Sequence, residues 1–119
     1  MIKVIIFIAA KAGISREAFR DYYETNHVPL VRRLLPMIGR YTRNYLEGPP
    51  MWRPDEPAPE FDVVTELWFA DQAAFDAFVI TVRNPEISRQ IAADEANFLD
   101  STKTRLHLVE EQIAPETVS

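Results

Sequence analysis

An α+β sandwich, with one antiparallel four-stranded sheet under a layer of helices, is the fold class that this sequence predicts. Three observations carry the prediction. Runs at residues 2–9, 38–47, 62–69 and 104–111 are β-branched, aromatic or alternating, as strands are. Apolar residues at helical spacing fall only between the first and second runs and between the third and fourth. The 119 residues suffice for one core but not two, so residues 1–112 are expected as a single domain and 113–119 as a tail.

The elements follow in order. Residues 2–9 are apolar almost throughout, which predicts a central strand covered on both faces. The opening apolar run is too short, and too soon followed by Lys11 and a polar segment, to be expected as a signal peptide. Lys11, Ala12 and Gly13 make the turn, and Ser15 caps a helix that carries Phe19, Tyr22 and Tyr23 on one face to about Thr25.

The stretch YYETNHVPLV at residues 22–31 is the most informative in the chain. Pro29 biases Val28 toward an extended conformation and is itself suited to open a helical turn. The spacing therefore predicts a break at His27 between two helical pieces, with Asn26 as the C-cap of the first. A titratable ring held at a kink beside two phenols is where proton chemistry can occur. The alternative is that His27 and Asn26 only close helix ends by bonding to backbone, and the residues leave both open. Leu30, Val31, Leu34 and Leu35 form a short apolar stripe that ends at Pro36.

In the second strand Tyr41, Arg43 and Tyr45 point one way and Thr42, Asn44 and Leu46 the other. Five prolines in the thirteen residues from 48 to 60 predict a stiff extended loop, with Trp52 as a lid, a partner contact or an anchor. The third strand alternates Val63, Thr65, Leu67 and Phe69 with Val64, Glu66 and Trp68. Asp71 then caps a helix that turns Ala74, Phe75 and Phe78 to the core. Asn84-Pro85 starts a last helix, expected to run to about Leu99 on Ile87, Ile91 and Phe98. Leu106 and Leu108 alternate with Arg105, His107 and Val109 in the fourth strand.

Strand, helix, strand, strand, helix, strand is the ferredoxin-like βαββαβ order, with the first and third strands at the centre. Tyr41, Arg43, Tyr45, Val64, Glu66, Trp68, Arg105, His107 and Val109 are expected on the face away from the helices. That set is too aromatic to be left to water and too polar for a dry core. Two such faces packed together would hide it, giving a homodimeric α/β barrel with Arg43, Arg105 and Glu66 pairing inside; a monomer with a half-solvated sheet is the alternative.

Composition narrows the function. Thirteen basic against eighteen acidic residues, with no basic cluster beyond Arg32-Arg33, argue against nucleic acid as a partner. No apolar run reaches the roughly 18 residues of a membrane span. The absence of cysteine removes disulfides and thiolate chemistry and fits a cytoplasmic protein. Two histidines 80 positions apart and only three glycines leave neither a metal-ligand spacing nor a phosphate loop, so no metal and no cofactor are expected.

The Tyr-Tyr…Asn-His-x-Pro-Leu run, together with the late segment DEANFLDSTKTRLHLVEE, resembles the EthD domain family of small dimeric α/β-barrel proteins. The resemblance extends from Val4 to about Glu111 and is least evident in the loop at 48–60. It implies a ferredoxin-like subunit that dimerises through its sheets. The family is named for a component of an ether-degradation system, and its relatives are linked to aromatic and polyketide-type metabolism. Similar barrels host isomerases, decarboxylases, cyclases and cofactor-free monooxygenases, and a generic oxidoreductase label often travels with the family.

Two functions stand against each other. One is a cofactor-independent enzyme, of the isomerase, lyase or oxidoreductase kind, acting on a small hydrophobic or cyclic metabolite between helices and sheet. Its expected catalytic residues are His27, Tyr23, Tyr22 and Asn26, and its expected substrate contacts are Phe19, Trp68, Asp94 and Phe98. Asp94 and Asp100 can polarise the imidazole, or else face solvent as caps. The other function is a non-catalytic dimeric protein that holds a ligand or serves a pathway as an accessory, with His27 structural.

Overall fold

A computed structural model describes residues 1–48, 50, 51, 53 and 55–117. The elements are β1 (Ile2–Ile8), α1 (Arg16–Tyr22), a π-helical turn (Tyr23–His27), α2 (Val28–Leu34), β2 (Arg40–Tyr45), β3 (Val63–Phe69), α3 (Gln72–Arg83), α4 (Pro85–Glu95) and β4 (Arg105–Val109). The sheet order is β2-β3-β1-β4, antiparallel throughout, which puts the first and third strands at the centre as expected. Gly13 supplies the left-handed residue (φ 83°) that turns β1 toward α1. Ser15, Asp71 and Asn84 cap α1, α3 and α4 through hydrogen bonds from Ala18 N–H, from Ala74 N–H, and from Glu86 and Ile87 N–H.

The core lies between the helices and one face of the sheet. Val4, Leu67, Phe69, Val31, Leu35, Ile38 and Phe78 form one cluster, and Ile8, Val63, Phe19, Tyr23, Phe98 and Leu99 the other. Thr65 is also fully buried on this face, and the Tyr23 hydroxyl, 2.7 Å away, satisfies its hydroxyl.

Several expectations need correction. There is no break at His27: the chain stays right-handed and helical from α1 through the wide turn into α2, and Asn26 caps nothing. Val28 N–H reaches back five residues to the Tyr23 carbonyl. Pro29 brings no N–H and its ring crowds the carbonyl four residues back, so the preceding turn widens instead of ending the helix. The last helix stops at Glu95, leaving Phe98 and Leu99 in the turn and bridge that follow. The second and fourth strands are shorter than expected at both ends. The Trp52 expectation lies outside the described residues.

The phase of β2 is the larger correction. Tyr41, Arg43 and Tyr45 pair with Leu67, Thr65 and Val63, so they face the helices. Tyr41 and Tyr45 give their phenol bodies to the core and their hydroxyls to Tyr23 and Glu24, while Arg43 grips Glu24 with two nitrogens at 3.0 and 2.6 Å. Arg43 is therefore not available to the face beyond the helices, nor is a pairing with Arg105 and Glu66 made there. The open face carries Lys3, Ile5, Phe7, Arg40, Thr42, Asn44, Val64, Glu66, Trp68, Arg105, His107 and Val109. Within one chain β1 is thus covered on one side only, with Ile5 and Phe7 partly exposed on the other.

Candidate functional site

The wide turn sets the site. Tyr23 and His27 are buried at its two ends, and their rings meet edge to face at 5.6 Å. Phe98 lies on another side of the imidazole, with ring centroids 4.9 Å apart. Asp94, near the end of α4, accepts from His27 Nδ1 at 2.8 Å through one oxygen and from the Tyr22 hydroxyl at 2.7 Å through the other. Asn97 in turn donates to the Tyr22 oxygen at 2.9 Å. The carboxylate only accepts, so the Nδ1 position carries the proton and Nε2 keeps its lone pair.

That Nε2 atom has no hydrogen-bond partner among the described residues, yet no buried polar side-chain atom among them is left unsatisfied. It therefore opens onto reachable space. The space is a cavity of about 130 Å³ between helices and sheet, lined by His27, Tyr23, Tyr41 and Glu95 among aliphatic and phenyl groups. Leu106, 54% exposed, is the lining residue closest to solvent and marks the mouth beside β4.

Burial pushes the His27 imidazole below its ordinary pKa, against the opposing pull of Asp94, so the ring is neutral at pH 7. Tyr23 is pushed up by burial, and Tyr41 well above the phenol range for the same reason, so both hydroxyls stay protonated. The Tyr41 hydroxyl donates to that of Tyr23 at 3.1 Å. Glu95 is pushed up to about 7, first by burial and then by the neighbouring charge of Asp94. The cavity thus holds a neutral base, a carboxyl that is half protonated near neutrality and two phenolic hydroxyls.

Of the eight residues singled out from the sequence, the structure brings His27 and Tyr23 to the cavity wall. Tyr22 and Asp94 stand behind the imidazole, where Asp94 touches the ring directly and lies off the cavity wall. Phe19 and Phe98 are fully buried core rings that back Tyr23 and His27. Asn26 is exposed and bonds only the neighbouring Thr25 hydroxyl. Trp68 belongs to the opposite face of the sheet, between Lys3 at 4.7 Å and Arg40 at 4.8 Å, and cannot reach the cavity. Asp100 accepts from Thr102 N–H and hydroxyl and orders the turn before β4.

Glu95 and Tyr41 are the residues that sequence reasoning missed. A signal for Glu95 was present: it falls eight after Ile87 and four after Ile91, on the apolar stripe of α4. A larger hollow of about 580 Å³ opens near Lys3, Trp68 and Ile113, but its base, Lys3, is already held by Glu111 at 2.6 Å and Glu66 at 3.2 Å. Among the described residues no group of three or more histidine or carboxylate side chains is placed to hold a metal ion. No helix among them is long and apolar enough to cross a membrane.

Comparison with solved structures returns the same architecture. An ethyl tert-butyl ether D family protein from Bacillus halodurans is 20% identical, with a TM-score of 0.65 over 94% of this chain and 100% of its own. A dimeric ferredoxin-like protein of unknown function from Thermobifida fusca is 14% identical, with a TM-score of 0.52 over 91% of this chain and 88% of its own. SnoaB, a cofactor-independent oxygenase from Streptomyces nogalater, is 16% identical, with a TM-score of 0.55 over 97% of both chains. At such identities the likeness is one of fold. No curated protein matches the chain significantly in sequence. The sequence profile of the EthD domain spans residues 11–102, a stretch that holds the wide turn, the His27–Asp94 pair and Glu95. With most of its length matched in this way, the chain belongs to the EthD domain family.

Proposed function

We propose that the protein is a cofactor-independent enzyme that moves a proton at a carbon next to a carbonyl in a small, hydrophobic, ring-shaped metabolite. One observation carries this reading: a neutral imidazole, fixed by Asp94 at Nδ1 and with its other nitrogen unbonded among the described residues, lines a mostly apolar cavity between helices and sheet. The walls around it are mostly apolar, and an unbonded lone pair there is available as a base. His27 takes the proton, and the hydroxyl of Tyr23 or Tyr41 meets the oxygen on which the enolate charge develops. Asp94 and Tyr22 act through the ring as positioning residues. Isomerisation and dehydration both begin with such a charge.

Deuterium wash-in tests this reading. A panel of cyclic ketones and enones is incubated with the protein in D2O and followed by NMR. The wild type should exchange the acidic C–H, while His27→Gln, still folded, should lose about 10²- to 10⁴-fold in rate, the usual worth of a positioned base. Asp94→Asn should lose rate as well, with the ring left free to adopt the wrong tautomer. Equal exchange by wild type and His27→Gln would remove the base from the mechanism. An oxygen electrode run in parallel tests for oxygenase chemistry of the kind named for the structural relative.

A second reading has one observation in its favour. The Tyr23 and Tyr41 hydroxyls already bond to Thr65 and to each other, as in a cavity that holds a ligand without reacting with it. In that case ligand affinity would fall in His27→Gln and the wild type would exchange no deuterium.

We also infer that two copies pair through their open sheet faces. Ile5, Phe7, Val64 and Trp68 are partly exposed there among charged groups. The dimeric relative offers a parallel. A cytoplasmic setting accords with the lack of cysteine.

A further inference from the structure

Glu95 follows Asp94 by one position, so α4 turns its side chain about 100° away from the His27–Asp94 pair. That rotation points it to the cavity wall. Its carboxyl bonds to no described residue and is not sealed off as an unsatisfied buried group, so it is accessible, and the residue lines the cavity. The titratable groups that face it are His27 and Tyr23 from the wide turn, Tyr41 from β2, and Asp94 on its own helix. β1, β3, β4, α2 and α3 present only aliphatic or phenyl side chains to the space. Among the described residues no lysine or arginine lines it, and the nearby Arg43 is held by Glu24.

We propose that Glu95 is a second proton-carrying group of this cavity, and that it restricts the site to uncharged ligands of about one six-membered ring bearing a carbonyl or phenolic oxygen. The inference rests on the reading of the cavity as the ligand site. An anionic ligand entering here would meet a carboxyl and find no cation, between mostly apolar walls. A neutral ligand meets no such obstacle. The protonated carboxyl offers an O–H that has no acceptor among the described residues, and a ligand oxygen supplies one. The size limit comes from the volume: the cavity measures about 130 Å³, and an apolar cavity of about 150 Å³ admits benzene. The same group makes binding depend on pH, because ionised Glu95 can no longer donate and presents its own charge to the ligand. Its rise to about 7, caused by burial, puts that change near neutrality.

Binding of cyclohex-2-enone, phenol and benzoate to the full chain, by calorimetry or ligand-observed NMR at pH 6 and pH 8.5, tests the proposal. Both neutral probes should bind at pH 6 and weaken tenfold or more at pH 8.5, and benzoate should bind at neither. Glu95→Gln should hold the enone equally at both pH values, since its amide donates without titrating. The probe comparison in the wild type stands even where the variant fails to fold. Benzoate bound as tightly as phenol would overturn the proposal, as would an unchanged pH dependence in Glu95→Gln, or no binding of either neutral probe at millimolar concentration. Neutral probes that bind in this manner without any deuterium wash-in would overturn the catalytic reading and leave Glu95 in its role. Wash-in on anionic or larger substrates would do the reverse.

Discussion

Glu95→Gln gives a stability test that needs no ligand. In the folded chain burial pushes Glu95 up to about 7, whereas the unfolded chain leaves it at the ordinary value of 4.5. Between those values the folded chain holds a proton that the unfolded chain has released. The stabilisation is therefore full below about 4.5 and is lost as the pH rises through about 7. A tenfold difference in proton affinity between the two states is worth about 1.4 kcal/mol. The wild type should accordingly lose about 2 to 3 kcal/mol from this group between pH 5 and pH 8. Glutamine does not titrate and loses nothing.

His27 acts in the opposite sense. Its folded value is depressed by burial, so its contribution is lost as the pH falls below the ordinary histidine value. That loss is common to wild type and variant and cancels in their difference, as does any fixed cost of the amide. Urea denaturation at pH 5, 6, 7 and 8 should show the Glu95→Gln midpoint gaining on the wild type by about 1.5 to 2 M across the range, at a slope of about 1.5 kcal/mol/M. In melting temperature the gain is roughly 10 °C. A difference that stays constant from pH 5 to pH 8 would mean that Glu95 titrates as a solvated carboxyl. Its side chain would then stand in solvent, outside the cavity.

Three further outcomes follow from the same geometry. Tyr23→Phe keeps the packing volume but strips an acceptor from Tyr41 and a partner from buried Thr65, and should cost about 1–3 kcal/mol by urea denaturation. Glu24→Gln should cost about 1–3 kcal/mol at pH 7, because it breaks the two-pronged bond with Arg43 and weakens the bond from Tyr45. Arg43 holds the Glu24 carboxyl below its usual range, so this stabilisation is present above the ordinary glutamate value and is lost as acid reaches the depressed one; the variant should lack that acid limb. Val64→Glu sets a charge opposite Phe7 on the open face, and sedimentation should show a dimer falling to a folded monomer of unchanged circular dichroism.

The strands, the helix N-caps and the helix-facing alternation of β3 were legible because local rules govern them. Val63, Thr65, Leu67 and Phe69 are all buried, as a period of two with one apolar phase requires. The β2 segment obeys the same period, but both of its phases are polar or amphipathic. Alternation sorts Tyr41, Arg43 and Tyr45 together without saying which side they take. What decides is a set of tertiary partners, the Tyr23 hydroxyl and the Glu24 carboxylate, which lie about twenty residues away in sequence. A long polar side chain with such a partner belongs to the helix side as readily as to solvent.

The turn at His27 shows the same limit in a different form. Pro29 signals that the hydrogen-bond ladder fails, and a failed ladder can either end a helix or widen it by one residue. Sequence supports either outcome; packing chooses. Here Tyr23 and His27 both take buried places, against Thr65 and Asp94, and the continuous chain with one wide turn fills both. The residues of the site follow from that choice. Asp94 meets the imidazole and Glu95 meets the cavity because they are neighbours on a helix, about 100° apart, facing a ring that the wide turn has set between them. One carboxylate therefore fixes the imidazole and the next faces the cavity, a difference written as Asp-Glu in the sequence and readable only once the opposite wall is in place.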